Sequence, residues 1–81
     1  MITEMQLLLV DDEEDYVRTM AERMEMREYG SEVALDGAEA LRMLKEEEAP
    51  DVMILDLRMP GMDGLEVLER VKRDFPRLEV I

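Results

Sequence analysis

Two short aliphatic runs, Leu7-Leu8-Leu9-Val10 and Val52-Met53-Ile54-Leu55, each give way to acid, the first to Asp11-Asp12 and the second to Asp56. Apolar residues on consecutive positions over so short a length suit strands buried on both faces, as in a parallel sheet covered by helices. In such a sheet, ligands sit beyond the carboxyl ends of the strands. Neighbouring strands lie about 4.8 Å apart, so parallel pairing of these two gathers Asp11, Asp12 and Asp56 at one end. Carboxylates held that close repel one another and stay ionised together only with a cation between them. A divalent metal site is the first expectation.

Between the two runs the hydropathy pattern switches regularly. Val17, Met20, Ala21 and Met24 recur at helical spacing, and Gly30 reads as the C′ residue that stops this helix. A short strand is expected from about Glu32 to Leu35. Asp36 and Glu39 have the spacing of an N-terminal cap, and Ala40, Leu41 and Leu44 supply the apolar face of a second helix ending before Pro50. Beyond the third strand, Asp63 and Glu66 repeat the cap spacing, Leu65, Leu68, Val71 and Lys72 outline a third helix that stops before Pro76, and Leu78 to Ile81 open a fourth strand. The order βαβαβαβ predicts an α/β fold, a parallel sheet with right-handed crossovers.

Composition excludes several classes. The 81 residues form at most one small domain. Absence of Cys rules out disulfides and thiolate metal sites and fits a reducing, cytoplasmic compartment. No apolar run approaches the roughly 20 residues that cross a bilayer, and Met1 to Met5 lacks the basic start of a signal peptide. A net charge of −12 opposes nucleic-acid binding by this chain, because phosphates meet a repelling surface. Most of that excess is an ordinary solvated acidic surface, Glu46-Glu47-Glu48 included.

With these elements placed, the residues resemble a known family. Asp11-Asp12 after a first strand, Asp56 after a third, and the following Leu57-Arg58-Met59-Pro60-Gly61-Met62-Asp63-Gly64 are similar to the receiver domain of two-component response regulators. The resemblance implies a doubly wound, flavodoxin-like sheet of order 2-1-3-4-5, of which residues 1–81 would be an incomplete copy. It also implies that Asp56 is the phosphoacceptor and that Asp11 and Asp12 hold Mg²⁺ together with Asp56 and the backbone carbonyl of Arg58. A hard cation with oxygen ligands suits this chemistry, since it neutralises charge on the attacking carboxylate and the phosphoryl group alike. The implied partner is a sensor histidine kinase or phosphotransfer protein. Pro60 and Gly64 are expected to shape the loop, without a chemical part.

Two departures from the family pattern bear on these expectations. The Gly30–Gly37 stretch is slightly shorter than in family members, which bears on the length and register of the second, edge strand. The family's Ser or Thr after the fourth strand and Lys after the fifth have no counterpart within residues 1–81, so slow phosphotransfer by these residues alone is expected. The end at Ile81, inside an apolar strand pattern, is read as falling short of a natural domain boundary, with an exposed sheet edge that favours self-association.

Plainer and competing readings stand beside these. Asp11 or Asp12 could cap the first helix, but the coincidence with Asp56 favours a cluster. Asp11, Glu13, Asp15 and Glu22 have calcium-loop spacing, yet Tyr16 occupies the position that needs Gly. Met20 and Met24 are read as core fillers. A structural or self-associating module without useful phosphotransfer competes with the phosphoacceptor; a phosphohydrolase is weaker, because no general acid is visible and there is no His.

Overall fold

The computed structural model describes residues 5–58 and 63–81. Along them, strands and helices alternate as β1 (Gln6–Val10), α1 (Glu14–Met26), β2 (Gly30–Ala34), α2 (Gly37–Glu46), β3 (Val52–Leu55), α3 (Gly64–Asp74) and β4 (Glu79–Val80). All pairings are parallel and the strand order is β2-β1-β3-β4, matching the first four places of the expected order. Leu8 of central β1 stands beside Glu32 on one side and Met53 on the other. The ladder continues past β4, where Leu55 N–H donates to the Ile81 carbonyl at 3.0 Å.

Because side chains alternate across a strand, β1 and β3 divide their apolar residues between two faces. Leu8, Val10, Met53 and Leu55 join Ala40, Leu41, Met43 and Leu44 of α2 and Val67 and Val71 of α3 in one core cluster. On the other face Leu7, Leu9 and Val17 are buried, with Met20, Ala21, Met24, Val33, Val52 and Ile54 packed around them half-covered. Met20 and Met24 thus fill core space as expected. Burying a side chain such as fully enclosed Met53 contributes about 1.5–3 kcal/mol.

Four details differ from expectation. Glu28, not Gly30, terminates α1: at φ 68° it occupies the left-handed region. Glu28 N–H donates to the Glu25 carbonyl at 2.9 Å and Tyr29 N–H to the Met24 carbonyl at 3.0 Å, the paired bonds of a Schellman motif. Gly30 instead opens β2, which therefore starts before Glu32 and stops short of Leu35. In α3 the buried stripe is Gly64, Val67 and Val71, whereas Leu65 is 56% exposed and Lys72 lies in solvent. Asp63 accepts from Leu65 N–H at 3.1 Å, and Glu66 turns to Arg70 at 2.8 Å instead of closing a reciprocal cap.

The second helix follows its sequence signals. Asp36 Oδ1 accepts from Glu39 N–H at 2.8 Å, so the cap forms where the spacing placed it. At its far end, Glu46 and Glu47 are more than solvated charge, since Arg42 reaches Glu39, Glu46 and Glu47 together. No helix among the described residues is long and apolar enough to cross a membrane.

Candidate metal centre

Parallel register explains why acids from distant segments meet. Val10 faces Leu55 at the end of the β1–β3 ladder, so one step further Asp11 comes beside Asp56. Both are tied by their main chain to the strand next door: Asp56 N–H donates to the Val10 carbonyl at 3.0 Å, and Asp11 N–H to the Ala34 carbonyl at 3.1 Å. Asp12 follows in the turn that leads to α1. One carboxylate oxygen from each of Asp11, Asp12 and Asp56 lies within 4.8 Å of the others. Asp11 and Asp56 are half-buried and Asp12 is exposed. Among the described residues this is the group of three or more potential ligands that converges in this way.

The side chains are oriented as well as close. Asp11 Oδ1 accepts from Glu13 N–H at 2.9 Å, and Asp56 Oδ1 accepts from Arg58 N–H at 2.9 Å. Each is an Asx-type turn, in which a short carboxylate holds the amide two residues on. That bond restrains the side-chain torsion. The helix-capping alternative is met only in part: Asp11 steadies the approach to α1, but the cap position itself is Glu13, which makes no side-chain cap bond.

The spacing is within reach of a small hard cation. With ligand distances of about 2.1 Å, neighbouring oxygens around an octahedral Mg²⁺ stand about 3.0 Å apart and opposite ones about 4.2 Å, so oxygens that lie within 4.8 Å of one another would draw together to share one ion. The donor set is all oxygen and carries formal charge enough to compensate a divalent ion.

One supporting residue gains a physical reason that hydropathy did not supply. A Cβ on Gly64 would stand 2.4 Å from Leu57 Cα and 2.8 Å from both Leu57 C and O. The first turn of α3 therefore rests directly on the backbone that follows Asp56. Pro60, named with Gly64 as shaping this loop, lies outside the described residues.

Comparison with known proteins agrees with this geometry. The family model described as response regulator receiver domain matches residues 7–81. Response regulator PleD of Caulobacter vibrioides is 40% identical over 68 residues, covering 84% of this chain and 15% of that protein. The alkaline phosphatase synthesis transcriptional regulatory protein PhoP of Bacillus subtilis is 39% identical over 75 residues, covering 89% of this chain and 31% of that protein. The chain thus spans less than a third of the length of these curated relatives. Among solved structures, response regulator TrrA of Thermotoga maritima, in complex with Mg²⁺-BeF, is similar with a TM-score of 0.86 and 30% identity over 94% of this chain and 65% of that one. TrrA in complex with histidine kinase ThkA is similar at a TM-score of 0.85, again with 30% identity, covering 94% of this chain and 65% of the matched one.

Proposed function

Because the chain belongs to the response regulator receiver domain family of two-component systems, we propose that Asp56 accepts a phosphoryl group from a sensor histidine kinase or phosphotransfer protein, in a reaction that requires Mg²⁺. The observation that carries this reading is the convergence of Asp11, Asp12 and Asp56 at the carboxyl end of a parallel sheet. TrrA, with its Mg²⁺-BeF and ThkA complexes, supports the same cation and the same class of partner.

Each part of the site has a task in that chemistry. An Asp56 oxygen attacks phosphorus, an O–P bond forms as the N–P bond of a phosphohistidine breaks, and the electron pair leaves on the imidazole nitrogen. The Arg58 N–H on Oδ1 holds the Asp56 carboxylate in one orientation for that attack. Asp11, Asp12, Asp56 and the Arg58 carbonyl would hold Mg²⁺, which when bound neutralises charge between the two anionic reactants. The backbone bonds from Asp11 and Asp56 to neighbouring strands hold the main chain that carries these carboxylates, which limits reorganisation. On this reading the chain is a signalling module of the cytoplasm, at most assisting its own phosphorylation and dephosphorylation.

Intact-mass measurement after incubation with a small acyl phosphate and Mg²⁺ tests this. A single phosphoryl adduct is expected, not formed when Mg²⁺ is chelated beforehand and absent from Asp56→Asn. An adduct that persists in Asp56→Asn removes Asp56 from the mechanism. A companion reading, for the 81-residue polypeptide, is self-association along β4, which among the described residues pairs with β3 alone and so offers N–H and C=O groups to a second copy. Light scattering after size exclusion decides that, a monodisperse monomer of 9.5 kDa counting against it.

A further inference from the structure

We propose that Gly64 is a positioning residue for the metal centre: lacking a side chain, it lets α3 lie on the Leu57 backbone and so sets where the Arg58 carbonyl stands relative to Asp56. This rests on the reading of Asp11, Asp12, Asp56 and Arg58 as the Mg²⁺ site.

Space, not conformation, is what position 64 demands. Gly64 opens a regular helix, a conformation any L-residue adopts. Yet every atom a Cβ would meet within 2.8 Å belongs to the Leu57 backbone, which cannot rotate out of the way. Gly30 offers the contrast, since a Cβ there would meet the end of the Gln6 side chain, a group free to swing.

The fold also determines which partner yields. Val67 and Val71 are fully buried in the α2–α3 core cluster, so α3 is anchored and cannot retreat. Leu57 is 45% exposed and belongs to a loop. A methyl group at position 64 therefore pushes on the loop, and the push falls on the residue between Asp56 and Arg58. The 2.9 Å bond from Arg58 N–H to Asp56 Oδ1 lies across that displaced segment. Moving it re-aims both the carboxylate and the carbonyl next in line, without altering any ligand atom.

Two readings on uniformly labelled protein test the proposal in wild type, Gly64→Ala and Val71→Ala, the last destabilising the same helix at its far end. The first is the amide and carbonyl resonances of Asp56 to Arg58 without metal. The second is Mg²⁺ affinity from amide shifts on titration. Gly64→Ala is expected to shift the Arg58 resonances and to weaken Mg²⁺ about tenfold or more, in the range for residues that orient metal ligands; Val71→Ala is expected to do neither. If Gly64→Ala does not fold in plain buffer, trimethylamine N-oxide, which favours compact states, allows the same readings. Unmoved Arg58 resonances, unchanged Mg²⁺ affinity in Gly64→Ala, or an equal loss in Val71→Ala each overturn the proposal. A wild type whose Asp12 and Asp56 amides ignore Mg²⁺ would instead sink the metal reading, leaving the metal-free Arg58 comparison to decide whether Gly64 positions the loop.

Discussion

The two faces of the sheet differ in how they are closed. The face under α2 and α3 holds Leu8, Val10, Met53 and Leu55 within a continuous buried cluster. The face under α1 has three buried residues, Leu7, Leu9 and Val17, inside a fringe of half-covered ones. β3 records the contrast in four residues, with Met53 and Leu55 buried and Val52 and Ile54 only partly so. The helices repeat it, since α2 buries Ala40, Leu41, Met43 and Leu44 whereas α1 buries Val17. Similar aliphatic content along a strand therefore does not mean similar burial; the number of helices laid over each face decides.

The sharpest way to break this comparison is to truncate adjacent residues of β3. Met53→Ala is expected to cost about 2–5 kcal/mol, as for other large-to-small changes in closed cores, and Ile54→Ala no more than about half as much. Urea unfolding of both variants measures the difference, and equal losses would show the faces to be equally tight.

A smaller effect sharpens the comparison from the α1 side. The left-handed conformation costs an L-residue about 1–2 kcal/mol, and the greater freedom of glycine in the unfolded chain returns part of that. Glu28→Gly should accordingly stabilise the protein by about 0.5–1 kcal/mol. In hydrogen exchange, α1 amides should open more readily than those of α2, and Glu28→Gly should slow α1 more than α2.

The smallest expected effect concerns charge on the well-covered face. The hydrogen bond from Arg42 holds the Glu39 carboxyl below its ordinary value of 4.5. A group depressed in the folded state contributes stability above its unfolded pKa and loses it as pH falls through the folded value. The unfolding midpoint should thus fall slightly more between about pH 5 and about pH 3 in wild type than in Arg42→Ala. Solvent contact on both side chains keeps this contribution small. A large pH-dependent loss would mean that the α2 face owes its firmness to ions as well as to apolar packing.

Much of the architecture was legible because it follows from periodicity and ladder arithmetic. Once β1 and β3 are read as parallel, Asp11 beside Asp56 needs only the final matched pair, Val10 and Leu55. The Asp36 cap was equally plain, being a side-chain signal in fixed spacing. What escaped is written in the backbone. Glu28 takes the left-handed turn because the chain must reach the Gln6–Gly30 pairing in that register, and composition at position 28 gives no hint of it. Leu65 and Val67 are both apolar, and hydropathy alone does not choose between the stripes they belong to. The close seat of Gly64 on Leu57 does, by bringing its own side of α3 nearest the sheet.

The β1–β3 pairing also has a consequence in time. Asp11 and Asp56 are separated in the chain by all of α1, β2, α2 and β3. No local element holds the whole trio, since Asp11 and Asp12 leave the first strand and Asp56 leaves the third. A chain that has formed its helices but not closed this long loop has helical content and no site. Such closure is entropically expensive and belongs with slow, non-local steps of folding. Appearance of the carboxylate cluster is therefore a clock for completion of the sheet's centre, and a metal-sensitive signal during refolding would report that moment, not the earlier coiling of the helices.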